Sequence, residues 1–151
     1  MPPAVDLVER TVIPALEVSA TLGVASRTLA NSYWVVAFNL FDLESKHPPN
    51  DGGVGAATVN LVRRLLRAAA ALDDEDIRFP RSLAVSYGKT QSWQQMNQAL
   101  ADALVIDSTD AEASQMATWA AQNTEMTGWT LQKREIKRGR GKRRPKVTCK
   151  R

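Results

Sequence analysis

The stretch VNLVRRLLRAAAALDDEDIRFPRSLAVSYGK, residues 59–89, decides how this chain folds. Its first half sets Val59, Val62, Leu65, Leu66, Ala69 and Leu72 at three- and four-residue spacing, the stripe of a helix that buries one side. Alanine, leucine and arginine are strong helix formers and no glycine or proline interrupts them, so a helix over about 55–72 is expected. Arg63, Arg64 and Arg67 crowd onto the same helix. The second half reads differently. Four consecutive acids, Asp73 to Asp76, and then Pro80 argue against a continuing helix, while IRF and SLAVSY suit short strands. Residues 73–91 are therefore expected to be an excursion from a helical frame.

Upstream, Trp34, Phe38, Phe41 and Ser45 share one face of a helix expected over about 31–46, with Asn31 and Ser32 as N-cap candidates. KHPPNDGG, residues 46–53, stops it. Downstream, the capping-box patterns Ser92-x-x-Gln95 and Thr109-x-x-Glu112 open two more helices. Trp93, Met96, Leu100, Ala103 and Leu104 mark the buried stripe of one. Ala113, Met116, Trp119 or Ala120, and Asn123 mark that of the other, which Gly128 ends or bends. Residues 5–29 are weakly helical and interrupted by Pro14. The fold class expected is all-α: an antiparallel four-helix bundle with a short β excursion between helices two and three. Residues 1–30 form a partly helical N-terminal extension, 31–132 the bundle, and 133–151 a flexible basic tail, left without structure until it binds.

Charge divides the chain the same way. The net charge is +4, yet residues 133–151 hold eleven Lys/Arg against Glu135 alone, so the tail carries +10 and the other 132 residues −6. An acidic folded body with a basic tail points to a polyanionic partner. Enzyme chemistry finds no support. The lone His47 stands beside two prolines with no second His or Cys near it, so no metal site is expected. The lone Cys149 lies in the tail, which rules out an internal disulfide, fits a reducing compartment, and gives the thiol no fixed base. NDGGVG, residues 50–55, precedes a helix but lacks the lysine and spacing of a P-loop. No cofactor is expected. Nor is a membrane partner, since no run approaches the roughly 18 apolar residues of a span, and Asp6, Glu9 and Arg10 interrupt the N-terminus where a signal peptide would be apolar.

One further segment, VSATLGVASRTLANSY at 18–33, has the outline of a helix-turn-helix, with Gly23 in the turn and Leu29 inside the second helix. Ser32 falls where an apolar residue should lock that helix. A small DNA-binding regulator using residues 16–33 and the basic tail is the alternative reading.

From Trp34 to Leu104 the chain resembles the coat proteins of rod-shaped, tobacco-mosaic-type plant viruses. The resemblance is carried by Trp34 opening the first bundle helix, Arg63 on the second, Arg78-Phe79-Pro80 after it, Tyr87 closing the expected strand, and Ala99-Leu100-Ala101-Asp102-Ala103-Leu104. It implies a subunit that assembles with itself into an open helical rod around genomic single-stranded RNA, found in the virion and, during assembly, in the host cytoplasm. Trp34, Phe79 and Tyr87 would then form an aromatic cluster that closes the core, a side-to-side subunit contact, or both. The chain departs from the pattern where the family holds RNA: Thr58 stands in place of an arginine, and VIDSTDAEAS, residues 105–114, contains no basic residue. Phosphate neutralisation is therefore expected from Lys133, Arg134, Lys137, Arg138, Arg140, Lys142, Arg143, Arg144 and Lys146, with Arg63 and Arg64 as secondary contacts.

Overall fold

The computed structural model describes the backbone of residues 3–46 and 55–140, with side chains up to residue 125. Its elements are α1 (Pro3–Leu7), a π-helical turn (Val8–Val12), α2 (Ile13–Thr21), α3 (Ser26–Lys46), α4 (Ala56–Leu72), α5 (Arg78–Lys89), α6 (Trp93–Ile106) and α7 (Ala111–Arg140). Among the described residues there is no strand. The first three segments run on without a break, and Pro14 accounts for the π turn. A proline has no N–H for the carbonyl one turn back and its ring crowds that carbonyl; a widened turn before it absorbs both. Gly23, at φ +86°, then reverses the chain into α3, which starts five residues earlier than expected.

Helices α3 and α4 pack antiparallel. Ala30 shares a buried cluster with Ala69, Ala37 shares one with Val62, and the Gly55 N–H donates to Glu44 Oε1 at 2.6 Å. The stripe read on α4 is the buried one: Val59, Val62, Leu65, Leu66 and Ala69 all face inward, with Leu61 beside them. Val5 and Val8 cover the same core from the N-terminal helix.

The main correction lies in residues 73–91. The expected strands are replaced by α5, which packs antiparallel on α4, bringing Phe79 to Ala69 and Ser86 to Arg63. Two features read as helix breakers favour it, and so does the apolar spacing. Pro80 sits in the first turn, where a backbone N–H has no intrahelical partner to lose. The acids of 73–76 precede the N-terminus, where negative charge complements the helix dipole. Phe79, Leu83, Ala84 and Tyr87 recur at helical spacing and point into the core. The α5 helix thus joins the hairpin α3–α4 to the hairpin α6–α7, and packing runs mainly between consecutive helices.

Two capping boxes do not form as read. Ser92 occupies the N-cap of α6 without a side-chain bond into the helix, and it is Asp110, not Thr109, that caps α7, its Oδ1 accepting the Ala113 N–H at 2.7 Å. Helix α7 passes Gly128 and runs to Arg140, so residues 133–140 are helical, unlike the unstructured tail expected there.

Thr58 is fully buried, and its hydroxyl has no hydrogen-bond partner among the described residues. An arginine could not sit there without burying its charge. Thr58→Val keeps the shape and removes an unsatisfied hydroxyl; it is expected to stabilise the fold by ~1 kcal/mol, read as a melting temperature raised by a few degrees.

Candidate nucleic-acid interface

The α4 arginines divide between two neighbours. Arg64 points to the N-terminal helix, its Nη1 3.4 Å from Glu9 Oε1, in a largely exposed ion pair. Arg63 and Arg67, four residues apart, point to α5. Arg63 Nε donates to Ser86 Oγ at 3.2 Å, and its Nη2 donates to the Ser86 carbonyl at 2.8 Å and to Thr90 Oγ1 at 2.6 Å. Its guanidinium lies 4.3 Å from the centroid of the Tyr87 ring. Burial draws its pKa below the ordinary guanidinium value, Tyr87 opposes that, and Arg67 adds to it; the group stays charged at any accessible pH. Arg67 donates from Nη2 to the Tyr87 hydroxyl. The pair staples α4 to α5, so Arg63 serves the helix seam before any external phosphate.

Between α4, α5 and α6 lies a cleft of about 620 Å³, with Arg67 and Tyr87 on one wall and Gln95 and Gln98 on another. Asp73, Asp74 and Asp102 also line it. Three carboxylates against one guanidinium make a poor phosphate site, because anion would face anion in a partly desolvated space.

The aromatic residues named from the sequence are not one cluster. Phe79 is buried between Ala30 and Ala69, and Trp34 packs against that group. Tyr87 belongs to a different cluster, with Met96, Leu100 and Ala103. Arg78, noted only as part of a motif, binds the first group together: its guanidinium lies 4.9 Å from the Trp34 ring and 5.6 Å from that of Phe79, while Trp34 Nε1 donates to Ser82 Oγ at 3.1 Å. Arg78 also holds Asp76, its Nη2 2.7 Å from Oδ2, and Asp76 Oδ1 accepts the Arg78 N–H at 3.0 Å at the start of α5.

That hydrogen bonding by Arg78 sets the Asp76 carboxyl below its ordinary pKa, burial opposing it in part. A carboxyl that titrates lower in the folded chain than in the unfolded one contributes stability above the unfolded value of ~3.9, and the contribution is lost as pH falls through the folded value. Asp107, held low by Thr109, acts in the same window and direction. Asp76→Asn keeps an oxygen for the Arg78 N–H and removes the charge, so it is expected to lower the melting temperature at pH 7 by a degree or two, by under about 1 kcal/mol of lost ion pair, with the difference from wild type shrinking toward pH 2–3. Thermal melts over that pH range check it.

The dense positive charge lies at the end of the chain. Lys133, Arg134, Lys137, Arg138 and Arg140 fall on the last turns of α7, where cations complement the helix C-terminus; Lys142, Arg143, Arg144 and Lys146 lie outside the described residues. His47, Cys149 and most of NDGGVG lie outside them as well. Helices α2 and α3 with the Gly23 turn have the helix-turn-helix outline, but α2 buries no residue, Leu22 is exposed and Leu29 is buried. Among the described residues no group of three His, Cys, Asp or Glu is placed to hold a metal ion, and no helix is long and apolar enough to cross a membrane. No family model matches the sequence, and no characterised protein matches it significantly.

Proposed function

We propose that this chain is the coat subunit of a helical, rod-shaped nucleocapsid of tobacco-mosaic type, polymerising around single-stranded RNA. The observation that carries this reading is the separation of roles: a helical body of net charge −6 joined, through its own last helix, to a segment of net charge +10. Lysine and arginine segments neutralise phosphates without reading bases, as packaging of a whole genome requires. Because the segment begins on α7, its first cations are carried on a helix that packs against α6, and successive subunits would space them regularly along the strand.

In this proposal the four long helices α3, α4, α6 and α7 are the bundle of the coat subunit, with α5 in place of the short β excursion. Phosphates are held by Lys133, Arg134, Lys137, Arg138, Arg140 and the cations that follow them. Arg63 is a positioning residue that keeps α5 against α4, and Arg64 is the more accessible secondary contact.

Nuclease protection tests the proposal. Single-stranded RNA of increasing length, incubated with the protein and digested, is expected to be protected over its whole length at saturation, with little dependence on sequence. Protection of one short duplex DNA sequence instead would replace the nucleocapsid with the DNA-binding regulator.

A further inference from the structure

The cleft between α4, α5 and α6, a poor site for a phosphate, suits a ligand of the opposite charge. Its floor is apolar, with Leu83 of α5 and Ala99, Val105 and Ile106 of α6, and Val105 is 87% exposed. Asp73 and Asp74 follow the end of α4, Asp102 lies on α6, and none of the three makes an ion pair among the described residues. Asp74 and Asp102 are exposed, which sets them at the rim. The cation in the lining, Arg67, is turned onto the Tyr87 hydroxyl. Arg78, which feels the charge of Asp73, is paired with Asp76. The rim is therefore left acidic over an apolar floor.

A partner for such a cleft carries positive charge on a partly apolar backbone, and the end of this chain has that composition. Residues 142–151, KRRPKVTCKR, hold six Lys/Arg and no acid, and they lie outside the described residues. Arg144, Pro145, Lys146 and Val147 alternate cation with apolar residue, and Pro145 disfavours a helix at the residue before it. Laid extended, this run would turn Pro145 and Val147 to one side, toward the floor, and Arg144 and Lys146 to the other, beside the rim carboxylates.

Reach decides which copy supplies the segment. Asn97 of α6 bonds to Thr124 of α7 at 3.0 Å, which fixes the level of one helix against the other. Past Thr124, α7 runs on to Arg140, about 24 Å at 1.5 Å per residue. Asp102 lies about 7 Å from Asn97 in the opposite direction, because α6 and α7 form an antiparallel hairpin. The end of α7 is thus about 30 Å from Asp102 along the helices, whereas Lys146, six residues beyond Arg140, extends at most about 22 Å. The alternating run falls short of its own cleft and is free to enter that of a neighbour.

We infer that, without RNA, residues 142–151 of one copy dock in the α4–α5–α6 cleft of a second copy, Arg144 and Lys146 meeting Asp74 and Asp102, and that RNA withdraws them. The docking stands on the cleft and the composition of the segment; its reversal by RNA rests on the function proposed above. One cation cannot serve a carboxylate and a phosphate together. The cleft therefore withholds part of the packaging charge until a longer polyanion competes for it, with release of its own counterions as the driving force.

Cys149, the only cysteine of the chain, takes the probe. The full chain is labelled there with a benzophenone maleimide and photolysed without RNA, and the adducts are located by mass spectrometry. Isotopically heavy and light copies are mixed, so that a neighbour's segment is told from the chain's own. The expected adducts join heavy to light copies, fall on α5 and α6 around Leu83, Val105 and Ile106, and weaken as salt is raised. Asp74→Asn with Asp102→Asn should lower their yield about fivefold, and so should Arg144→Gln with Lys146→Gln, which leaves the helical body untouched. Glu17→Gln with Glu125→Gln makes the same charge change outside the cleft lining and should leave the yield as it is. Circular dichroism confirms that each variant is folded. Adducts scattered over the surface, confined to single copies, or indifferent to Asp74 and Asp102 overturn the inference. Oligouridylate should abolish the wild-type adducts. Adducts that it cannot displace would leave the docking standing and take the segment away from RNA. Protection of RNA without cleft adducts would sink the docking and leave the nucleocapsid standing.

Discussion

Removal of residues 137–151 is expected to lower affinity for single-stranded RNA by at least about 100-fold at physiological salt, while the helical signal and melting of the remaining body stay close to wild type. The deletion takes away nine of the twenty Lys/Arg of the chain and no acid. Each phosphate that is no longer neutralised should also flatten the dependence of log affinity on log salt by ~0.7, so the salt slope identifies the cause as well as the size of the effect. Fluorescence anisotropy with a labelled oligoribonucleotide across a salt series measures both. Replacement of the same Lys and Arg by Gln, with the chain length kept, should reproduce the weakening. A body that unfolds on deletion, or binding that survives it, would contradict the assignment of RNA to the basic segment.

The second large effect is on stability. Phe79→Ala is expected to cost about 3–5 kcal/mol, lowering the melting temperature by roughly 6–20 °C. The side chain is 1% exposed, and the buried residues in its cluster are Ala30 and Ala69, whose single methyl groups cannot reach into the space that it leaves. Phe79→Leu keeps most of that volume and should cost less than about 1.5 kcal/mol. Measurement on the dilute, unassembled chain separates the two roles considered for this aromatic: a core residue melts the monomer, whereas a subunit-interface residue would weaken assembly and leave the monomer unchanged. Burial between α3, α4 and α5 places Phe79 with the core. Phe38, with most of its surface free, is the aromatic that can meet another chain.

The contrast between Phe79 and Phe38 also shows what could be read from the sequence. The α4 stripe was legible because its apolar residues recur over four turns with nothing to confuse the period. The stripe read on α3 put Phe38 with Trp34 and Phe41 on one face, which is correct, but a shared face need not be covered; α4 and α5 fill only part of it and leave a groove. Residues 73–91 misled for a physical reason. Acids and a proline break a helix in its interior and favour one at its start, and which applies depends on where the helix begins. Phe79, Leu83, Ala84 and Tyr87 carried that answer, since their spacing fits a helix and not the alternation of a strand.

Site residues were legible in unequal measure. The basic segment stands out in composition alone, although its first part proves to be the end of α7. The roles of the α4 arginines could not be assigned from the chain, because the triplet Arg63, Arg64 and Arg67 reads as one charged cluster. Spacing alone does not divide them, since Arg67 stands four residues from Arg63 and three from Arg64, and either pair could share a partner. Their partners, Ser86, Tyr87 and Thr90, lie more than twenty residues away in the case of Arg63, twenty in that of Arg67, and become neighbours only once α5 is known to be a helix. Arg78 between Trp34 and Asp76 depends on the same step.

The most direct measurement of the central claim is negative-stain electron microscopy of the purified chain with single-stranded RNAs of several defined lengths. Rigid rods of one diameter, whose length rises in proportion to the RNA, are expected. Small uniform particles that never elongate, whatever the RNA supplied, would contradict it.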